Sequence, residues 1–242
     1  LSRPVLRRLH QPDMPDHTGA FWGIFLAAKF SPQFKNEVYY FGIRESMTSP
    51  RSYKRSFSTV GTRLYRDPKA GELSYEFETA LQFGKKGTRD HLAHFEHISA
   101  DYSFKAPWKP VITARYDYVS GDRDPNDTQN GTFDTLFGAK RWEFGPTGIY
   151  GAFSRANINS PGWALQLNPT KKLKFSPSMR WLWLAQARDQ WAGLKLKDPT
   201  GRSGTYLGSQ IEFQLGYNFS KYFQSEVGYA RLFKGSFIER VP

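Results

Sequence analysis

From Leu73 to Gly84 polar and apolar side chains alternate. Leu73, Tyr75, Phe77, Leu81 and Phe83 share one parity, and Ser74, Glu76, Glu78 and Gln82 the other. A period of two places successive side chains on opposite faces of a strand, so this segment has one apolar face and one wet face. The same period returns at 206–219, where Ile211, Phe213, Leu215, Tyr217 and Phe219 alternate with Gln210, Glu212, Gln214 and Asn218. Ten such segments are predicted, at 19–30, 36–46, 54–66, 73–84, 92–104, 110–121, 151–168, 172–188, 204–218 and 221–234. Most approach the length a tilted membrane strand needs, and no stretch carries a helical period.

The connections add a second regularity. Ser31 to Lys35, Asp67 to Glu72, Lys105 to Lys109, Asn168 to Lys171 and Asn218 to Lys221 read as tight turns. Between them fall the longer connections Ser46 to Lys54, Lys85 to His91, Gly121 to Tyr150 and Arg188 to Ser203, with the segment after Lys234 as the last. Alternation of tight and long connections is the habit of outer-membrane barrels, with short periplasmic turns and long external loops. Phe21, Trp22, Tyr39, Tyr40, Tyr102, Phe104, Trp108, Trp181, Trp183, Tyr222 and Phe223 gather near strand ends, where interfacial girdles need aromatic rings. The predicted fold class is therefore all-β, an antiparallel transmembrane β-barrel, with residues 1–242 forming one barrel portion. A soluble carbohydrate-binding β-sandwich is the alternative from a different class. With tight turns on the periplasmic side, the first strand runs inward and the tenth outward, so the reading expects a strand before the first and another after the tenth.

Composition narrows the picture further. The chain has a formal net charge of +12, 17% aromatic residues and no cysteine, which excludes a disulfide scaffold and thiolate metal sites. Its mean hydropathy of −0.61 excludes an apolar helical span but not a barrel, whose strands alternate. Leu1 to Arg8 shows no targeting signal. The bases are spread along the whole chain, which argues against a nucleic-acid stripe. No phosphate loop, nucleophile elbow or His-Glu-x-x-His motif is present, so no enzyme and no catalytic residue is predicted. His91, His94 and His97 have helical spacing for a metal, but on a strand His94 falls on the opposite face.

Four longer stretches carry a resemblance. Residues 133–172 (FDTLFGAKRWEFGPTGIYGAFSRANINSPGWALQLNPTKK), 183–191 (WLAQARDQW), 201–212 (GRSGTYLGSQIE) and 226–235 (EVGYARLFKG) resemble the alginate export family of outer-membrane β-barrels. The resemblance covers about the last 110 residues, and the earlier part agrees by strand rhythm. It implies a barrel of about 18 strands in which the ten here are the eighth to the seventeenth. It also implies passage of polymannuronate and polyguluronate through a basic lumen. The implied partners are an anionic polysaccharide, outer-membrane lipid or lipopolysaccharide, and periplasmic polysaccharide-export components, with no nucleic acid.

Such a conduit needs inward bases, because each uronate sugar carries a carboxylate and a guanidinium pairs it bidentately. Parity places Arg115 and Asp117 inward, opposite Ile112, Ala114, Tyr116 and Tyr118, and Arg180 and Arg188 inward, opposite Met179, Trp181 and Trp183. Arg63, Arg44 and Arg155 are further inward candidates on weaker alternation. Glu76, Glu78, Asp101, Glu212 and Glu226 share the wet face with Asp117, and the competing reading is that acids and bases there pair to stiffen the wall. Inward bases left unpaired would favour an anion path. A general or small-anion porin is the rival function on this architecture. No cofactor is implied, although Asp122, Asp124, Asn126 and Asp127 offer oxygens to a structural calcium within 122–131. A solvated turn rich in Asp, Asn and Pro explains the same residues. Lys140 and Arg141 would line the outer mouth or face water.

Overall fold

The structure, a computed structural model, describes residues 5–6, 14–15, 19–31, 33–46, 54–137, 144–145 and 152–242. A short pair, β1 (Val5–Leu6) with β2 (Met14–Pro15), stands apart from one large sheet. That sheet contains β3 (Gly19–Ser31), β4 (Phe34–Glu45), β5 (Arg55–Arg66), β6 (Leu73–Lys86), β7 (Arg89–Ser103), β8 (Val111–Val119), β10 (Ile158–Gln166), β11 (Leu173–Trp183), β12 (Tyr206–Asn218) and β13 (Gln224–Lys234). Each of these pairs antiparallel with its neighbour in chain order, the short β9 (Gln129–Asn130) alone pairing parallel, with β7. A helical turn, α1 (Ser236–Arg240), closes the described chain. The edges of the sheet are β3 and β13, and they do not pair with each other.

All ten predicted segments are strands, most with boundaries shifted by one to three residues, and three of the differences have structural causes. The segment predicted from 151 starts at Ile158, because Ala152 and Phe153 are buried in the core instead of joining the ladder. The segment predicted to run to 188 ends at Trp183, where the β11–β12 register slips between Leu182 and Trp183. The connection predicted to be long between Lys85 and His91 is a tight turn at Gly87 and Thr88, with β6 and β7 paired out to Lys86 and Arg89. Gly87 at φ +67° supplies the left-handed residue such a turn requires. The strict alternation of tight and long connections fails at this one hairpin. It projects beyond β8, and β9 adds to its flank opposite Asp90 and His91.

The two faces of the sheet differ in kind. On one face Ile24, Leu26, Val60, Leu81, Leu92, Ile98, Ile112, Trp163, Leu215, Val227 and Tyr229 are exposed, with Ile24, Leu26 and Val227 each more than 60% so. An apolar face continuous across many strands is unfavourable in water and matches the hydrocarbon of a bilayer. The opposite face is polar over most of its height. At the end with the long connections it carries the core, where Ala80, Ala93, Phe95, Val119, Ile158, Leu182 and Leu207 on the strands meet Phe133, Phe144, Ala152, Phe153, Trp191 and Phe237. Segments between β8 and β10 and between β11 and β12, together with α1, thus fold back against the inward face. Among the described residues no helix is long and apolar enough to cross a membrane.

Candidate functional site

Below this core the inward face carries three rows of paired residues that form a polar belt. One row runs Glu37, Arg63, Glu78, His97, Asp117 and Ser160 across β4, β5, β6, β7, β8 and β10. The next runs Tyr65, Glu76, Ser99, Arg115, Gly162, Arg180 and Gln210 from β5 to β12. A third holds Ser74, Asp101, Thr113, Ala164, Ser178 and Glu212. The rows follow from period-two alternation and from registers free of slips between β4 and β8. A one-residue slip would throw every one of these groups to the apolar side.

Most of the belt is internally satisfied. Arg63 donates through Nε and Nη2 to both oxygens of Glu76 at 2.9 and 2.8 Å, and through Nη1 to Glu37 at 3.3 Å. Its guanidinium also lies 4.4 Å over the Tyr65 ring, and Tyr65 Oη donates to Glu37. Tyr39 Oη donates to Glu78 at 2.8 Å. Asp117 lies at 2.7 Å from both His97 Nδ1 and Arg180 Nη1, with Arg180 and Asp117 both buried. Arg180 reaches Asp117 across β10, where Gly162 leaves room and Ser160 accepts a further bond at 3.2 Å. A Cβ at Gly162 would stand 2.7 Å from Arg180 Cγ, so this crossing needs glycine. Phe144 covers the guanidinium at 5.1 Å.

Arg115 behaves differently. It sits between Ser99 and Gly162, with Arg180, Asp117, Asp101 and Glu212 as the charged groups around it. Among the described residues it has no ion-pair or hydrogen-bond partner, and its Nε is buried without one. Several acids, in turn, rest on neutral donors: Asp101 on Thr113 Oγ1, and Glu226 on the Gln214 and Gln224 amides. The three rows thus hold six carboxylates, of Glu37, Glu76, Glu78, Asp101, Asp117 and Glu212, against the guanidiniums of Arg63, Arg115 and Arg180, with His97 besides.

Two arginines predicted inward are placed elsewhere, and a third reaches the inward face from outside its predicted strand. Arg44 shares the face opposite to buried Ile43 and Glu45, because β4 puts odd-numbered positions inward. Arg188 lies in the connection after β11 and is exposed. Arg155 precedes β10 instead of lying on it, yet its guanidinium reaches the inward face, 4.9 Å over Phe95. Phe21 and Tyr39, read as girdle residues, point inward and with Arg155, Arg63, Glu78 and Phe133 line a cavity of about 570 Å³.

Asp122 and Asp127 converge on Arg89, with Asp122 at 2.8 Å and Asp127 at 3.1 Å, so the cation these carboxylates meet is a guanidinium. Asp124 accepts the Asn126 amide in a local turn. Among the described residues no group of three or more acids and histidines is arranged to hold a metal ion. His91 and His97 face inward and His94 outward, as strand parity requires. Lys140 and Arg141 lie outside the described residues.

Sequence reasoning missed Glu37, which shares inward parity with Tyr39, and His97, read only as a failed metal ligand. It also missed the anchor in which buried Arg55 binds Glu45 at 2.7 Å and Asp134 at 2.8 Å. Asp134 lies in the connection after β8 and no strand pattern reports it. Burial pushes its carboxyl up, but Lys86, Arg55 and the Leu136 amide outweigh this and hold it below the usual carboxylate range. A family model described as alginate export matches residues 1–242. No curated protein matches the chain.

Proposed function

The chain belongs to the alginate export family, one of outer-membrane proteins, and from that membership we propose that its inward belt is part of the wall along which an anionic polysaccharide passes passively. The observation that carries this reading is Arg115, an inward guanidinium with no partner among the described residues. A lumen must attract its cargo without trapping it. A belt whose other arginines are engaged gives a wall of fixed shape, and one free guanidinium offers a uronate carboxylate a single bidentate contact. Arg63 and Arg180 act in this account as builders of the wall. The outward apolar face meets lipid or lipopolysaccharide, and periplasmic export components deliver the polymer.

The test is single-channel recording on the protein as the cell makes it, in planar bilayers with polymannuronate added. Polymer should block the current. Arg115→Gln should shorten each block about tenfold, the equivalent of about 1.4 kcal/mol, and lower anion preference in a salt gradient. A conductance that ignores polymannuronate, as a small-anion porin's would, ends the reading. Block durations unchanged in Arg115→Gln remove Arg115 from it.

A further inference from the structure

The three rows of the belt hold more carboxylates than guanidiniums, so the positive charge of the molecule lies elsewhere. Part of it sits on three tight turns that carry bases and no acid. The connections 104–110, 167–172 and 219–223 contain Lys105, Lys109, Lys171, Lys172 and Lys221 and no Asp or Glu. Lys174, just inside β11, adds a sixth on the inward parity of Ser176, Ser178 and Arg180. None of the six forms an ion pair. The turn between β5 and β6 differs, because its Lys69 and the adjoining Arg66 are engaged with Glu72, and its Asp67 holds Lys35 of β4. These six ammonium groups occupy one arc of the short-turn rim, from β7 to β13.

This arc is built, not frayed. Trp108 and Lys109 adopt consecutive left-handed conformations, at φ +66° and +45°, a strain that surrounding structure must hold. The Lys109 amide donates to Ala106 O at 3.0 Å, the Asn168 amide to Trp108 O at 2.6 Å and the Gly71 amide to Ser103 O at 2.6 Å. Three neighbouring turns are thereby tied into one edge. Between them lies a cavity of about 550 Å³, lined in part by Ser103, Phe104, Lys105, Lys109 and Asn168.

Building on the export reading, we propose that this lysine arc is the capture site for the polyuronate at the short-turn rim, and that the belt beyond it only conducts. Lysine suits the task, because its ammonium is a compact, strongly hydrated point charge on a flexible stem. It attracts carboxylates over a Debye length of about 10 Å without locking any one of them in a fork. A row of like charges at a mouth raises the local concentration of an opposite polymer, and steering of this kind speeds association by roughly 10 to 1,000-fold. Short turns face the periplasm in such barrels, the side from which an exported polymer comes. Anionic lipid headgroups could meet the same ammonium groups. The inward parity of Lys174 and the cavity between Lys105 and Lys109 favour the polymer.

The experiment compares the native full-length protein with a Lys105→Gln, Lys109→Gln, Lys171→Gln, Lys172→Gln variant in bilayers of neutral lipid at low salt. Polymannuronate is added to either side. In the variant, block events from the short-turn side should become about tenfold rarer, while open conductance, block duration and block from the loop side stay as in the native protein. The unchanged conductance certifies folding, and a matching lysine-to-arginine variant should restore the rate. An unchanged short-turn rate in a channel that polymannuronate does block overturns the capture site and leaves the export reading standing. A native channel that polymannuronate never blocks overturns both. A defect confined to bilayers containing phosphatidylglycerol assigns the lysines to lipid and overturns the proposal.

Discussion

Arg115 and Arg180 have the same inward parity and are both flanked by Gly162, yet one is free and the other locked. The difference lies in Asp117, whose two oxygens are engaged by His97 and Arg180 at 2.7 Å each. With Arg180 and Asp117 both buried, removing the carboxylate leaves a guanidinium without water or counter-charge. Asp117→Asn should therefore cost about 3–5 kcal/mol, read as a lowered urea midpoint in detergent or vesicles. Arg115→Gln removes no such pair and should shift stability by no more than about 0.5 kcal/mol in the same assay. Equal losses in the two variants would mean that the belt does not divide into wall and contact groups. Strand parity assigns both arginines their face. It could not give their partners, because the pairing of Arg180 with Asp117 spans a strand far away in sequence and depends on Gly162 leaving the path clear.

Strands were legible for a simple reason: lipid on one side and water on the other impose period two, and each of the ten long elements carries it. Errors arose where another environment takes over. At Lys85 to His91 the ladder continues past the apolar band, so Lys85, Lys86, Arg89 and Asp90 read as a solvated loop although they are paired strand. At 152–157 and after Trp183, buried Ala152, Phe153, Leu184 and Trp191 supply apolar side chains to a covering layer that periodicity cannot tell from a strand. The anchor of that layer near β5 and β6 is Asp134. Its backbone exchanges hydrogen bonds with the Gln82 side chain, and its carboxylate meets Arg55, Lys86 and the Leu136 amide. Because its folded pKa is depressed, its contribution is complete above the ordinary carboxylate pKa of about 4 and is lost as pH falls through the lower folded value. Protection of the Leu136 amide, taken relative to its intrinsic exchange rate, should fall on acidification in that window. Asp134→Asn should lower protection already at neutral pH and flatten its pH dependence below about 4. Protection indifferent to both would show that the segment is held by Phe133 packing alone.

The large sheet has an apolar side and a polar side, and adjacent residues of a single strand sample the two. On β7, Ile98 is exposed on the apolar face beside Phe77 and Tyr116, while Ser99 lies inward between Glu76 and Arg115. If the apolar face meets hydrocarbon, Ile98→Lys places an ammonium in the bilayer and should cost about 2–4 kcal/mol in folding into vesicles. Ser99→Lys enters a row that already holds a carboxylate and a guanidinium and meets water, so its cost should stay below about 1 kcal/mol, with its effect seen in ion selectivity. A soluble sandwich predicts a different ranking, because an exposed isoleucine in water tolerates lysine freely. The comparison needs no knowledge of the cargo. It asks only which of two neighbouring side chains faces oil, and a larger penalty at Ser99 than at Ile98 would turn the wall inside out.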